Sequence, residues 1–585
     1  MNRFLRHASA TLAVLLLLPI LPGAPSLHAQ VLTGRVTDAT SAAPISAVLV
    51  ELLDADSAQV AAALSGPDGR YSVQPALGGT FTVRVRRLGY ATRHFGPMSV
   101  TDLHPFDIQL GAEPVRLQGL LATARPVCAD GPGVGPETQR LWELVTGALD
   151  VARVAQELDA YRFDMHTYVR DRTLDGRHVL LEGAGRSRES GAFVAMPIET
   201  LEDQGYVEVH RGAALSWYMP DPEVLVSDHF LKTHCFRVET SDDPTVVGLG
   251  FDPTPDRRRD RPDADRDPYR DLFGREVVEV SGVLWVDRAT GALREMTYRY
   301  VGVRDQQIDG LAGGYARFEQ LAGGLWIVRQ WVLKMPNLGV VDGDLVPESR
   351  REVGGFVVDA HDRAVEVDLG DPDAPTRTSA MAAESGGDLI GRLSDAGVPI
   401  PLDDAVVRLS GSPWAARTDA SGAFAFRGVP PGPYLVTWWA PQLDSLGLPA
   451  RGVDVTVSDG LEKSLVLQGP SLDFAVDHLC RGMAVQPGLG ILRVLTDPAA
   501  IRPGSGSAGS RVSMRARPVE LRSAEAAVPL ERVTVSREGV ATFCSVPTGV
   551  PLEVGFPGDE SRTAVTLTPH EIRAVSLVPG APDGQ

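Results

Sequence analysis

Three stretches of the chain repeat one pattern, and that pattern limits what the chain can fold into. Residues 68–90 read DGRYSVQPALGGTFTVRVRRLGY. In it Gly69 is followed by Tyr71 and Val73, then by Gly79, Phe81 and Val83. The same order returns as Gly422, Phe424, Phe426, Gly432, Tyr434 and Val436. It returns again as Gly539, Ala541, Phe543 and Gly549, with Leu552 and Val554 displaced by one because Pro551 intervenes. Period-two alternation marks half-buried strands, and the glycines and prolines between them read as a hairpin-like reversal. A strand–turn–strand unit recurring at this scale predicts repeated small domains.

Each copy has an opening strand upstream: LTGRVTDATSAAPISAVLVEL, LIGRLSDAGVPIPLDDAVVRLS, and LGILRVLTD followed by RVSMRARPVEL. The order of Gly-Arg-Val/Leu, Asp, Pro-Ile and a hydrophobic strand resembles the carboxypeptidase regulatory-like domain, over residues 31–110, 388–468 and, as a divergent copy, 487–580. The resemblance implies a prealbumin-like β-sandwich of about seven strands, grouped with carbohydrate-binding-like folds. It also implies an accessory module, attached to enzymes, transporters and surface proteins, that carries no catalytic residues.

At 585 residues the chain is too long for one core. Its 60 Gly, 44 Pro and many short alternating runs favour β structure. The fold class expected is mostly β, with three small prealbumin-like β-sandwich domains and a central α+β antiparallel-sheet domain. The expected divisions are a signal peptide over 1–29, a sandwich over 30–112, a connector over 113–136 and the central domain over 137–365. A linker over 366–386, a second sandwich over 387–468, a helical connector over 469–486 and a third sandwich over 487–580 follow.

The central region opens with PETQRLWELVTGALDVARVAQELDAYRF, whose apolar spacing and leading Pro136 predict a helix. Long alternating runs come next, and GVLWVDRATGALREMTYRY reads as a hairpin with its loop at 287–291. These strands are similar in style to the curved half-barrel sheets of lipoprotein-carrier-like periplasmic proteins. The resemblance implies, as a second reading of function, an envelope carrier holding a lipid or other apolar ligand.

The N-terminus pairs Arg3 and Arg6 with an apolar run around Leu15–Leu18 and ends at Ala29, the pattern of an export signal. Pro19 and Pro22 cut the run short of a bilayer span, no cysteine nearby could carry a lipid, and no later stretch is long enough for a transmembrane segment. The expected location is therefore periplasmic, outer-membrane-associated or extracellular. Four cysteines in an exported chain predict two disulfides, Cys128–Cys235 and Cys480–Cys544, from pairing within domains. A net charge of −19 argues against a nucleic-acid partner.

No hydrolytic motif is present. None of the 12 histidines has Glu three positions later, and no Gly-x-Ser-x-Gly or Gly-x4-Gly-Lys occurs. His229, His234 and Cys235 lie close in sequence, but an oxidised cysteine and strand-flanking histidines explain them without a metal. Asp263, Asp265 and Asp267 have calcium-loop spacing, but Pro268 stands where such a loop needs Gly, and arginines surround them. No catalytic residue, cofactor or metal is expected. Trp438 and Trp439 are neighbours on a strand, so one must leave the core unless both faces are covered. An exposed Trp439, joined by Trp414, is the expected sugar platform, with polysaccharide or an envelope protein as partner. The chain is thus expected to be a non-enzymatic binding or structural protein.

Overall fold

The computed structural model describes residues 31–577 apart from 77–78, 100–104, 114–116, 118–134, 159–160, 190–196, 211–214, 255–259, 261–268, 305, 322, 342–343, 363–385, 395–402, 482–487, 497–517, 537–538 and 559–560. These residues form two compact units, one ending near Ala112 and one beginning at Glu113, with Leu88–Tyr90 counted in the second.

The first unit is a seven-stranded sandwich. Its smaller sheet centres on Leu32–Asp38, antiparallel to Arg70–Val73 and parallel to Ile108–Leu110. Its larger sheet runs in the order Gln59–Leu64, Leu49–Leu53, Thr80–Arg86, Arg93–Ser99. Alternation places Val36, Tyr71, Val73, Phe81, Val83 and Val85 between the sheets, where all are buried.

The second unit contains two more sandwiches of the same topology. In one, Gly387–Ser394 lies between Ala423–Val429 and the parallel Glu462–Gln468, facing Ala415–Arg417, Val406–Leu409, Gly432–Trp439 and Ala450–Val457. In the other, Gly490–Thr496 lies between Val540–Val546 and the parallel Ile572–Leu577, facing Pro529–Thr534, Pro518–Ser523, Leu552–Gly555 and Thr563–Val565.

The repeated strand pair is not a hairpin. In every copy the two strands belong to opposite sheets, and the segment between them crosses the sandwich. Alternation reports that a strand has one buried face; it does not report which strand is its neighbour. The leading glycine has the same role in all three copies. Gly69, Gly422 and Gly539 adopt φ of 77°, 77° and 82°. Their carbonyls accept from the amides of Val36, Leu393 and Thr496 at 2.8, 2.8 and 2.7 Å. A Cβ on Gly422 would sit 2.4 Å from the Leu393 carbonyl oxygen, so this turn requires glycine.

The central region is a nine-stranded antiparallel meander. Its order is His234–Thr240, Val246–Pro253, Glu279–Asp287, Leu293–Val301, Gly313–Gln320, Trp326–Val341, Asp344–Asp362, Tyr161–Arg172 and His178–Glu189. The hairpin at 287–291 forms as read: Asp287 Oδ1 accepts from the Ala289 and Thr290 amides, both at 2.9 Å, and Gly291 takes φ 72°. The helix Pro136–Glu157 buries Leu141, Val145, Leu149 and Val154, and its Trp142 ring lies 5.0 Å from Phe236.

The meander continues into the second sandwich. Val179 and His178 pair with Ala450 and Arg451, making one sheet of thirteen strands. Phe356 of the meander joins the second sandwich's core, 5.5 Å from Trp414 and 6.2 Å from Tyr434. No helix among the described residues is long and apolar enough to cross a membrane.

Candidate functional site

The antiparallel strands His178–Glu189 and Ala450–Val457 overlap only at their first residues and run on in opposite directions. A cleft of about 1010 Å³ lies between the first half of His178–Glu189 and the strands Val406–Leu409 and Gly432–Trp439. Leu180, Leu181 and Glu182 line one wall, Arg408, Thr437 and Trp439 the other, with Leu443, Leu448, His478 and Arg481 closing the end. The second wall follows from strand register. Val406 lies opposite Trp439 and Arg408 opposite Thr437, so the four share the outer face. Val407, Leu409, Val436 and Trp438 point inward and are buried. Trp439 is 40 % exposed and Leu181 63 % exposed, whereas Trp438 is 1 % exposed. An amphipathic mouth of this kind suits a ligand with both apolar and polar faces.

A buried ionic network fixes the geometry behind the cleft. Glu352 accepts from Arg170 at 2.6 Å and Arg172 at 3.1 Å, with Arg350 at 3.2 Å. Arg172 also reaches Asp454 of the second sandwich at 2.9 Å. Arg170 donates to the Ser410 hydroxyl at 2.6 Å, which in turn donates to Glu182 at 2.8 Å. Burial raises the Glu352 pKa, but Arg170, Arg172, Arg350 and Lys334 more than offset it and hold the carboxyl at about 2. At the closed end the His178 ring stacks on Phe474 with centroids 3.5 Å apart. Burial pushes the His178 pKa down to about 4. His478 is also lowered, first by burial and then by Arg481 and Arg493, so both rings are neutral near pH 7.

The structure separates the two expected platform residues. Trp439 borders the cleft, but Trp414 does not: its ring packs on Phe356 and Tyr434 at the seam with the meander. Cys480 and Cys544 form a disulfide that ties the helix Leu472–Cys480 to a strand of the third sandwich, so it spans a connector rather than lying within one sandwich. Cys235 is disulfide-bonded as well, and its expected partner Cys128 lies outside the described residues. His234 is a core histidine, with Nδ1 3.2 Å from the Phe230 carbonyl and Nε2 3.0 Å from that of Val280. His229 faces Glu202 at 3.4 Å. Among the described residues no three His, Cys, Asp or Glu side chains gather as a metal site. Asp263, Asp265 and Asp267, and the export signal, lie outside the described residues.

Sequence reasoning did not find Arg408, His478, Arg481 or the Glu352 network. Those residues come together only through pairings between strands far apart in the chain. A signal for Arg408 was present, since Val407-Arg408-Leu409 stands where the other copies read Val50-Glu51-Leu52 and Val519-Glu520-Leu521.

The architecture defines a class: three prealbumin-like β-sandwiches combined with an α+β meander. More particularly, residues 31–110 match the carboxypeptidase regulatory-like domain. Nothing among curated proteins matches the chain. Among solved structures, a type II cohesin–X–dockerin complex from Acetivibrio cellulolyticus is similar at 17 % identity, covering 20 % of this chain and 70 % of that one, with a TM-score of 0.13. The Bacillus anthracis TIE protein is 12 % identical over 62 % of each chain, with a TM-score of 0.15. The major pilin subunit of Bacillus cereus is 9 % identical over 75 % of this chain and 98 % of its own, with a TM-score of 0.12.

Proposed function

We propose that the protein is a non-enzymatic, exported binding protein of the cell envelope that holds a polysaccharide in the cleft beside Trp439. One observation carries this reading: Trp439 is 40 % exposed at the rim of a cleft of about 1010 Å³, while its neighbour Trp438 is buried. A partly exposed indole offers apolar surface for the C–H face of a pyranose, and the polar groups around it can meet the hydroxyls. The competing reading, a carrier of apolar ligands in the meander, is weakened by the helix Pro136–Glu157. Its Leu141, Val145 and Leu149 are fully buried against the sheet.

The test is affinity electrophoresis of the exported protein through gels containing soluble polysaccharides, with turnover assayed in parallel. The wild type is retarded by at least one polymer and releases no product. Trp439→Ala weakens retention by about 1 kcal/mol or more, and Trp414→Ala lowers stability while sparing retention by whatever folds. Retention unchanged by Trp439→Ala sinks the assignment of the site.

A further inference from the structure

We infer that the ligand of this cleft is an anionic glycan, a polymer bearing hexuronate carboxylates, which the second sandwich recognises through Arg408 and Arg481. The inference rests on the reading of Trp439 as a sugar platform and adds the charge of the ligand to it.

The three sandwiches provide the comparison. In each, the second chain strand, which lies in the larger sheet, carries a charged residue at the same place. In the first copy it is Glu51, fully buried, opposite Arg84 in the register. Glu51 accepts from Arg84 at 2.7 and 2.8 Å and from Arg86 at 2.8 and 2.9 Å. In the third copy it is Glu520, opposite Gly555, bridged by Arg532 at 2.6 Å and Arg562 at 2.9 Å. Both are closed clusters in which one carboxylate is neutralised by two guanidinium groups.

The second copy reverses the charge and opens the site. The residue at this place is Arg408, opposite Thr437. Thr437 stands where the first copy has Arg84, and Trp439, opposite Val406, stands where it has Arg86, opposite Leu49. Where two copies have a satisfied acid, this one has an exposed base beside an exposed indole. Among the described residues no carboxylate lies within ion-pair distance of Arg408 or of Arg481, the second guanidinium of the cleft. The cleft's own carboxylate, Glu182, is engaged by the Ser410 hydroxyl at 2.8 Å, and Ser410 by Arg170 at 2.6 Å. Burial, with Arg481 and Arg493, lowers the His478 pKa and favours its neutral ring.

In a chain of net charge −19, two cations without acidic partners in one cleft call for an anion from outside. Guanidinium matches a carboxylate with two parallel hydrogen bonds. A hexuronate ring supplies both required parts, an apolar face for Trp439 and a carboxylate within reach of its diagonal neighbour Arg408.

The probes are polygalacturonate and the same polymer after reduction of its carboxyl groups, titrated into the full exported chain by calorimetry. The wild type binds the native polymer about tenfold or more tightly than the reduced one, and salt narrows the gap. Arg408→Gln removes most of that preference while leaving affinity for the reduced polymer unchanged. Arg408→Glu, which installs the residue type of the other copies, reverses the preference, and Trp439→Ala weakens both polymers alike. Unchanged melting temperatures for the Arg408 variants show that the fold is intact. A wild type that binds both polymers equally, or an Arg408→Gln variant that keeps the preference, overturns the anionic assignment and leaves sugar binding standing. Binding of neither polymer overturns both.

Discussion

Arg170 and Glu352 meet at 2.6 Å with side chains only 6 % and 1 % exposed, at the seam where the meander joins the second sandwich. Breaking the pair is costly, because the charge left behind lies where water cannot replace its partner. Glu352→Gln keeps the shape, leaves Arg170 without its counter-charge and leaves Arg172 with Asp454 alone. The expected loss is about 3–5 kcal/mol in the unfolding transition of the joined body, read as a shift in urea midpoint. A loss below about 1 kcal/mol would show the network to be incidental.

The same carboxyl predicts an acid limit. Its folded pKa, about 2, lies below its ordinary value of 4.5. The ionised form is therefore favoured by folding, and its contribution is complete above about pH 4.5 and lost as pH falls from there toward 2. Melting temperatures of wild type and Glu352→Gln should converge across that window and stay apart at neutral pH.

His178 sets a second window at higher pH. Its folded pKa of about 4 lies below the ordinary 6.5, so folding favours the neutral ring. The stability held by the His178–Phe474 stack is complete above about pH 6.5 and declines as pH drops toward 4. Hydrogen exchange at Gly452, whose amide donates to the Arg177 carbonyl at 2.8 Å, should quicken over that range. In His178→Phe, which stacks but does not titrate, it should not.

Two glycines of the second sandwich separate backbone strain from crowding. Gly422 and Gly428 both have positive φ, 77° and 61°, but a Cβ on Gly428 would meet nothing within 4 Å. Gly428→Ala should cost about 1–2 kcal/mol, the dihedral penalty alone. Gly422→Ala should cost more, because its Cβ meets the Leu393 carbonyl as well. Equal losses in chemical denaturation would refute the close approach.

The Cys480–Cys544 disulfide closes a loop with a sequence separation of 64. Removing it by paired alanine substitution should destabilise the third sandwich by about 2–4 kcal/mol, seen as a transition that moves while the first sandwich's does not. Non-reducing peptide mapping should join the Cys480 and Cys544 peptides, and also join Cys235 to Cys128.

The sequence carried the local part of this architecture clearly. Alternation at Tyr434–Trp439 was enough to place Trp438 inward and Trp439 outward, because side-chain direction along a strand is set by the backbone alone. The turn at Asp287 was equally legible, since its capping bonds span three residues. Strand partnership was not. Nothing near Tyr71 or Phe81 says that their strands lie in different sheets, and nothing near Val179 says that it pairs with Ala450. The cleft exists because of that distant pairing, so its wall residues could be listed only once the chain was folded. Arg408 is intermediate: the three aligned strands show its reversal of charge, but the open space it faces is a tertiary fact.

In every sandwich the first and last strands are parallel neighbours, so the chain enters at one end of that ladder and leaves at the other. A tether pulled at both ends would load the ladder in shear, stretching all its hydrogen bonds together rather than peeling them one at a time. The ladder is Asp388–Ser394 on Glu462–Gln468 in the second copy, Ile491–Thr496 on Ile572–Leu577 in the third, and only Val36–Asp38 on Ile108–Leu110 in the first. Under tension the first sandwich is therefore the one that gives way, lengthening the chain as it unravels while the module that bears Trp439 keeps its shape.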